Sequence, residues 1–326
     1  MRLLVTGGAG YIGSAVTRRL CEAGHAVVVL DDLSTGHREA VEASDLVVGD
    51  IADVAVVEPL LVERRVEGIV HLAASCLVGD STRHPDEYYR NNLTKSLVLL
   101  DVARRRGVGR FVFSSTAAVY GEPERLPLDE DHPTRPTNPY GETKLAFERA
   151  LRWHGEAYGI VSTCLRYFNA AGASRDGTLG ERHDPETHLV PNVLRAAREG
   201  GRVPVYGTDF PTPDGTAVRD YIHIEDLAEA HRLAIDRPAP EGRQAVYNLG
   251  NGAGFSVLQV IEAARRVTGL PIAPLPSARR PGDPARLVAS SDRARRDLSW
   301  TPRHPRLEEI LESAWSYLRR GWSGPA

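Results

Sequence analysis

The segment Thr6-Gly7-Gly8-Ala9-Gly10-Tyr11-Ile12-Gly13-Ser14, set directly behind an apolar run at residues 3–5, constrains this chain more than any other part of it. Glycines at positions 7, 10 and 13 allow a tight turn, a close backbone approach to a pyrophosphate, and close packing of the next helix on the strand. The N-terminus of that helix then faces the anion. A glycine-rich turn alone is weak evidence. Here an amphipathic segment ending near Gly24 follows it, and then a second apolar run that ends in Asp31-Asp32. An acid at that place suits a ribose 2′-hydroxyl and repels a 2′-phosphate, which favours NAD over NADP. A turn that served packing alone would not explain this whole context.

Short Val/Ile/Leu-rich runs recur at 26–30, 46–48, 68–70, 110–113 and 161–165, each separated from the next by an amphipathic stretch. They are continuous rather than alternating, as suits strands buried on both faces of a parallel sheet. The expected fold class is α/β, with a doubly wound, mostly parallel Rossmann sheet and a smaller C-terminal substrate-binding lobe. Past Asn169 the rhythm breaks into turn-rich stretches such as 207–215 and 271–284. We therefore expect residues 1–168 to form the dinucleotide-binding domain, with 224–249 returning to it. Residues 169–223 and 250–326 are expected to form the substrate lobe. With 326 residues, 42% of them apolar and 25% charged, the chain can bury a sizeable core throughout.

A net charge of −3 with interspersed signs gives no electrostatic case for a nucleic-acid partner. The cysteines Cys21, Cys76 and Cys164 are too few and too widely spaced for a disulfide framework or a zinc motif, which points to a reducing compartment. The first strand begins at Arg2 and no apolar run has membrane-spanning length, so the expected location is the cytoplasm. Two long helices are expected over 91–106 and 139–158. In the first, Leu93, Leu97 and Leu100 form one stripe and Val98 and Val102 another, wider than a helix covering a sheet needs. A dimer contact and a deep core position explain this equally well.

Asp50 and Ile51 follow the third run, and His71, Leu72, Ala73 and Ala74 follow the fourth. Both groups fall at carboxyl ends of strands, where an open α/β sheet binds its ligand. Asp50 can accept from an adenine amino group, or it can be a turn acid. His71 reads as a packed, hydrogen-bonded histidine rather than a catalyst.

The fifth run ends in Ser114-Ser115-Thr116, and Asn138-Pro139-Tyr140-Gly141-Glu142-Thr143-Lys144 opens a helix. Tyr140 and Lys144 share one helix face, which brings an ammonium near a phenol. A phenol ionises near pH 10, so a base working near neutrality needs a fixed cation beside it. Lys144 can supply that field and the positive nicotinamide of NAD can add to it, while the Thr116 hydroxyl can bridge Tyr140 and a substrate hydroxyl.

With these motifs together, the chain resembles the extended short-chain dehydrogenase/reductases, and Tyr140, Lys144 and Thr116 fall on that family's catalytic positions. The segments 165–173, 188–191, 214–223, 247–250 and 280–283 are similar to those of its UDP-glucose 4-epimerase branch. The resemblance implies a homodimeric isomerase that inverts C4 of a UDP-hexose through a transient 4-keto sugar. It implies NAD contacts from Gly7, Gly10, Tyr11, Ile12, Gly13, Asp31, Asp32, Asp50, Ile51, Leu72, Ala73, Ala74, Asn91, Lys144 and Phe168. It further implies that Thr116, Tyr140, Asn169, His188, Leu189, Tyr206, Arg219, Arg280, Asp283 and Leu287 line the UDP-sugar site. Arginine suits diphosphate oxygens; the bland alternatives are an ion pair of Arg219 with Asp220 or Asp226 and a solvated loop charge at Arg280.

Related 4,6-dehydratases carry an Asp-Glu pair behind the Thr, where this chain has Ala117-Ala118, so elimination of water lacks its acid. Three positions depart from the best-known members: Cys76 stands where some have a Lys, His188 replaces an Asn, and Leu287 replaces a bulky Tyr. The smaller Leu287 is expected to leave room for an N-acetyl group. A UDP-pentose or UDP-uronate epimerase and a non-catalytic NAD-binding regulator remain alternatives, the latter against the retention of both Tyr140 and Lys144.

Overall fold

The computed structural model describes residues 1–41, 45–237, 243–280 and 282–320. Residues 238–242 of the expected return, and Pro281 and 321–326 of the expected second lobe, lie outside them. The strands are β1 (Arg2–Thr6), β2 (Ala26–Asp31), β3 (Asp45–Val48), β4 (Gly68–His71), β5 (Arg110–Thr116), β6 (Val161–Tyr167), β7 (Asn169–Ala171), β8 (Arg202–Tyr206), β9 (Val218–His223), β10 (Gln244–Leu249), β11 (Gly254–Ser256), β12 (Ala273–Ser277) and β13 (Arg286–Leu287). The α-helices are α1 (Tyr11–Glu22), α2 (Val54–Glu63), α3 (Val78–Ser81), α4 (Pro85–Tyr88), α5 (Lys95–Arg105), α6 (Pro139–Tyr158), α7 (Leu189–Glu199), α8 (Ile224–Asp236), α9 (Val257–Thr268), α10 (Asp292–Leu298) and α11 (Leu307–Arg319).

Seven parallel strands form the central sheet in the order β10-β6-β5-β4-β1-β2-β3. This is the doubly wound α/β arrangement expected. Its inner strands are apolar on both faces because both faces are covered. Leu3, Val5, Val70 and Val112 pack with α1 and α8, while Leu4, Ile69, Phe111 and Phe113 pack with α2, α5 and α6. The strand order reverses beside β1, so the glycine turn opens at the crevice where such sheets bind ligands. β10 pairs with β6 in parallel, and α8 packs on α1, after the chain has passed through β7, α7, β8 and β9. A separate core gathers Val193, Leu194, Ile261, Ile310 and Leu311 from α7, α9 and α11 around β8.

The long helix expected over 91–106 is preceded by α4 and broken at its start by a π-helical segment, Tyr89–Thr94. Leu100 and Val102 are buried in the core, whereas Leu97 is exposed. On α6, Trp153 and Tyr158 are also exposed, 62% and 59% respectively, so both helices present apolar side chains outward.

Candidate active site

The turn after β1 is built by close approach. Gly7 has φ +70°, and a Cβ there would meet the Ala73 backbone nitrogen at 2.6 Å. A Cβ at Gly13 would fall 2.0 Å from the Gly7 carbonyl oxygen, so helix α1 sits tight on the turn. At Gly10 a Cβ would touch only that same oxygen, at 3.4 Å, among the described residues. The outer face of the turn therefore stays open, and the N-cap residue of α1, Gly10, has no side chain to cap it. Open backbone at an uncapped helix start fits a pyrophosphate, as the NAD reading requires. A cleft beside it is lined by Gly10, Tyr11, Ser14, Thr35, Arg182 and His183.

Asp31 is buried and accepts from the amides of Ala9 and Leu33, each at 2.9 Å, so it braces the turn as well as ending β2. Burial pushes its carboxyl up, against those two amides. Asp32 is more open and accepts from the Ser34 amide at 2.9 Å. Asp50 accepts from the Ala52 amide at 2.8 Å and pairs with Lys95 at 2.6 Å. Burial raises its carboxyl, yet Lys95 and Ala52 prevail and leave it below the ordinary range. The turn-acid alternative for Asp50 is thus physically present, with Lys95 as its partner. Ile51 is buried in the core with Val57 and Leu60. Leu72, Ala73 and Ala74 form the loop that closes over Gly7.

Asn91 donates to the Ser75 hydroxyl at 3.0 Å, and its neighbour Asn92 clamps the Ser75 backbone through both its amide atoms, at 2.8 and 2.9 Å. Tyr11 donates to the Gly172 carbonyl at 2.7 Å, tying α1 to the segment behind β7, while Ile12 packs into the core beneath. His71 is hydrogen-bonded by Thr6 and Ser96 at 2.7 and 2.8 Å, and burial lowers its pKa to about 3.

Helix α6 starts with Asn138 accepting from the Gly141 amide at 2.9 Å and Pro139 in the first turn. This entry sets Tyr140 in the first turn and Lys144 one turn on. Thr116 ends β5 and accepts from the Ala118 amide at 3.1 Å, and its hydroxyl lowers the pKa of the Tyr140 phenol. Lys144 is buried and donates to the Ser114 carbonyl at 2.8 Å, with its nitrogen 5.9 Å from the Tyr140 ring centre. Burial lowers the Lys144 pKa to about 8, with Cys76 and Glu148 opposing.

Burial, reinforced by Tyr167 and Cys76, pushes Tyr140 well above the usual phenol range, and the Thr116 bond only moderates the rise. Desolvation is the largest cause, so further positive charge beside the phenol, such as an oxidised nicotinamide would bring, would favour its ionisation. Cys76 is open to solvent on one side but enclosed by protein on most others, and burial raises its thiol.

Behind this group lies a network that the sequence reading missed. Arg166 and Glu148, both buried, form a two-pronged pair at 2.9 and 2.6 Å, and Ser115 donates to the same carboxylate. Arg166 also donates to Tyr120 at 3.0 Å, which donates to Asn248 at 2.6 Å. The only signal in the chain was Glu148 standing one turn beyond Lys144.

On the opposite side, Phe168 is buried beside Ala117 and Leu145, with Leu287 packed against the same cluster. Asn169 opens β7 opposite Tyr221. Arg219 pairs with Asp283 and donates to the Val218 carbonyl at 2.8 Å. Its carboxylate partner is therefore neither Asp220 nor Asp226, which bind the backbone amides of Asn251, Gly252, Ala289, Arg303 and His304. Arg280 lies over the Tyr206 ring, 4.0 Å from its centre, rather than as a free loop charge. Leu189 opens α7 and packs on the third core, with His188 as its N-cap residue. His188 stands with Glu181, His183 and Glu186, a grouping the sequence reading did not foresee.

A profile of the NAD dependent epimerase/dehydratase family matches residues 3–250. A UDP-glucose 4-epimerase of Corynebacterium glutamicum is 52% identical over 321 residues, covering 97% of this chain and 95% of the relative. The crystal structure of UDP-glucose 4-epimerase from Bifidobacterium longum in complex with NAD+ and UDP superposes with a TM-score of 0.93 at 37% identity, covering 98% of each chain. The structure of the UDP-Glc/GlcNAc 4-epimerase of Campylobacter jejuni superposes with a TM-score of 0.84 at 38% identity, covering 98% of this chain and 99% of the other.

Proposed function

Because the chain belongs to the NAD dependent epimerase/dehydratase family, we infer that it is an NAD-dependent isomerase that inverts C4 of a UDP-hexose, interconverting UDP-glucose and UDP-galactose. The observation that carries this reading is Thr116 at the end of β5, whose hydroxyl holds down the pKa of the Tyr140 phenol at the start of α6, with Lys144 pinned one turn away and alanines following the Thr. Tyr140 removes the proton from the sugar 4-hydroxyl, directly or through Thr116, and returns it in the reverse half of the cycle. Bound NAD supplies the reversible acceptance of hydride from C4, which leaves a ketone until the opposite face is reduced. Lys144 keeps a positive charge near the phenol while anchored to the Ser114 carbonyl. With Ala117 and Ala118 in place of acids, nothing beside the ketone drives loss of water.

Several finer assignments belong to the same reading. Gly7, Gly10 and Gly13 hold the pyrophosphate, and Asp31 or Asp32 the adenosine ribose. Arg219, Arg280, Asn169 and His188 grip the nucleotide diphosphate while the sugar turns over. Residues 1–168 with 224–249 form the NAD-binding part, and 169–223 with 250–326 the substrate part. Two chains pair through the exposed apolar residues of α5 and α6, and the enzyme works in the cytoplasm. The small side chain of Leu287, packed against the cluster that holds Phe168, supports acceptance of UDP-N-acetylhexosamines.

A panel of UDP-hexoses, N-acetylhexosamines, pentoses and uronates, resolved by product separation, tests this. Equilibration of UDP-glucose with UDP-galactose is expected. Turnover of only a pentose or uronate would move the activity to that alternative, and equal turnover by Tyr140→Phe would leave only a regulator.

A further inference from the structure

The segment Glu181 to His188 gathers two carboxylates and two imidazoles, of which the steps above give a role only to His188. Their nearest ligand atoms lie within 4.8 Å of one another. Both histidines turn Nδ1 toward both acids: His183 lies 3.2 Å from Glu181 and 3.8 Å from Glu186, and His188 lies 2.6 Å and 3.4 Å from them. The His188 contact with Glu181 is an ion pair whose angle falls outside hydrogen-bonding geometry. The Glu186 side chain is wholly buried; its Oε1 accepts from the amides of Thr187 and His188, at 2.8 and 2.9 Å. Its Oε2 points into the group and has no hydrogen-bond partner among the described residues.

We propose that Glu181, His183, Glu186 and His188 bind one divalent transition-metal ion, zinc foremost. Two imidazole nitrogens and two carboxylate oxygens are a zinc donor set, and bonds of about 2.0–2.2 Å in a tetrahedron need ligand atoms roughly 3.4 Å apart, close to the spacing here. An ion would satisfy the stranded Glu186 Oε2, take the place of the proton between His188 and Glu181, and offset two enclosed carboxylates. The other grouping of this kind, His223, Glu225 and His304, lacks that opening. Its ring nitrogens engage the Glu225 amide, Ser313, Arg175 and Asp226, and the Arg175 guanidinium repels a cation. The Tyr11 ring stands edge-on to His183, so the ion would fasten the segment leading into α7 beside the glycine-turn helix.

The test uses the purified full chain, stripped by a chelator and dialysed into metal-free buffer. Zn2+ is titrated against a chromophoric competitor, and Co2+ is added in parallel for its visible ligand-field bands. One tightly held ion per chain and an intense four-coordinate Co2+ spectrum are expected. His183→Gln and Glu186→Gln should each weaken Zn2+ binding by about a hundredfold or more, while Cys76→Ser leaves it unchanged. Circular dichroism and retained NAD report that the variants are folded. Failure of the parent to take up Zn2+, parental affinity in both glutamine variants, or loss in Cys76→Ser alone would overturn the assignment. If the glutamine variants do not fold, the parent's cobalt spectrum decides, and weak six-coordinate bands or none would overturn it as well.

Discussion

To act as the base proposed above, Tyr140 has to ionise in surroundings that resist ionisation, since burial raises its phenol and Lys144 spends one hydrogen bond on the Ser114 carbonyl. Replacing it with Phe should lower kcat by about 10²–10⁴, the usual share of a positioned acid–base group, with NAD still copurifying. Retained turnover would remove the phenol from the chemistry. Lys144, lowered to about 8 by burial, is charged below that pH and loses its charge as pH rises through it. The rate should therefore fall on the alkaline side near pH 8, and that limb should disappear in Lys144→Met, whose residual rate is low throughout. These residues were legible in the sequence because each motif is local: a glycine turn, a strand-end Thr, a Tyr and Lys one turn apart. Glu148 with Arg166, Asn92 with Ser75, and Arg219 with Asp283 were not, because their partners meet only through the folded sheet.

Helix α6 works as a unit because its first turn leans on the turn after β5. A Cβ at Gly141 would come within 2.5 Å of the Ala118 carbonyl oxygen, a backbone atom that cannot swing away. Gly141→Ala should push Tyr140 off Thr116, costing about 1–3 kcal/mol in stability and lowering kcat more than tenfold. Denaturant melts and initial rates would show it, and a variant as stable and active as the parent would mean the helix has slack. The strands and helices were readable from apolar period. What the period could not reveal was the π-helical step at 89–94 or which face of 91–106 is buried, since both depend on the packing of α5 against α2 and α6.

Across the whole molecule, burial holds His71, His223 and His231 neutral, with pKa values lowered to about 3, 3 and 4, and for His223 the neighbouring His304 and Arg175 add to the effect. At these three imidazoles the folded chain binds fewer protons than the unfolded one below about pH 6.5. Stability should fall as pH drops from there toward 4, by up to roughly 1.4 kcal/mol per unit for each imidazole. Urea midpoints measured between pH 7 and 4.5 check this, and a flat profile contradicts it. If α5 and α6 pair two chains, Trp153→Glu should yield monomers by light scattering, while an unchanged mass would place the dimer contact elsewhere.

The last strand to join the sheet, β10, lies outside β6, so everything from β7 to α8 is strung between two neighbouring strands. A protease nick anywhere in that stretch leaves both fragments stitched to one sheet by backbone ladders. The cut molecule should run as a single particle until denatured, and the excursion can swing only as a looped flap with both ends fastened, never as a tethered bead.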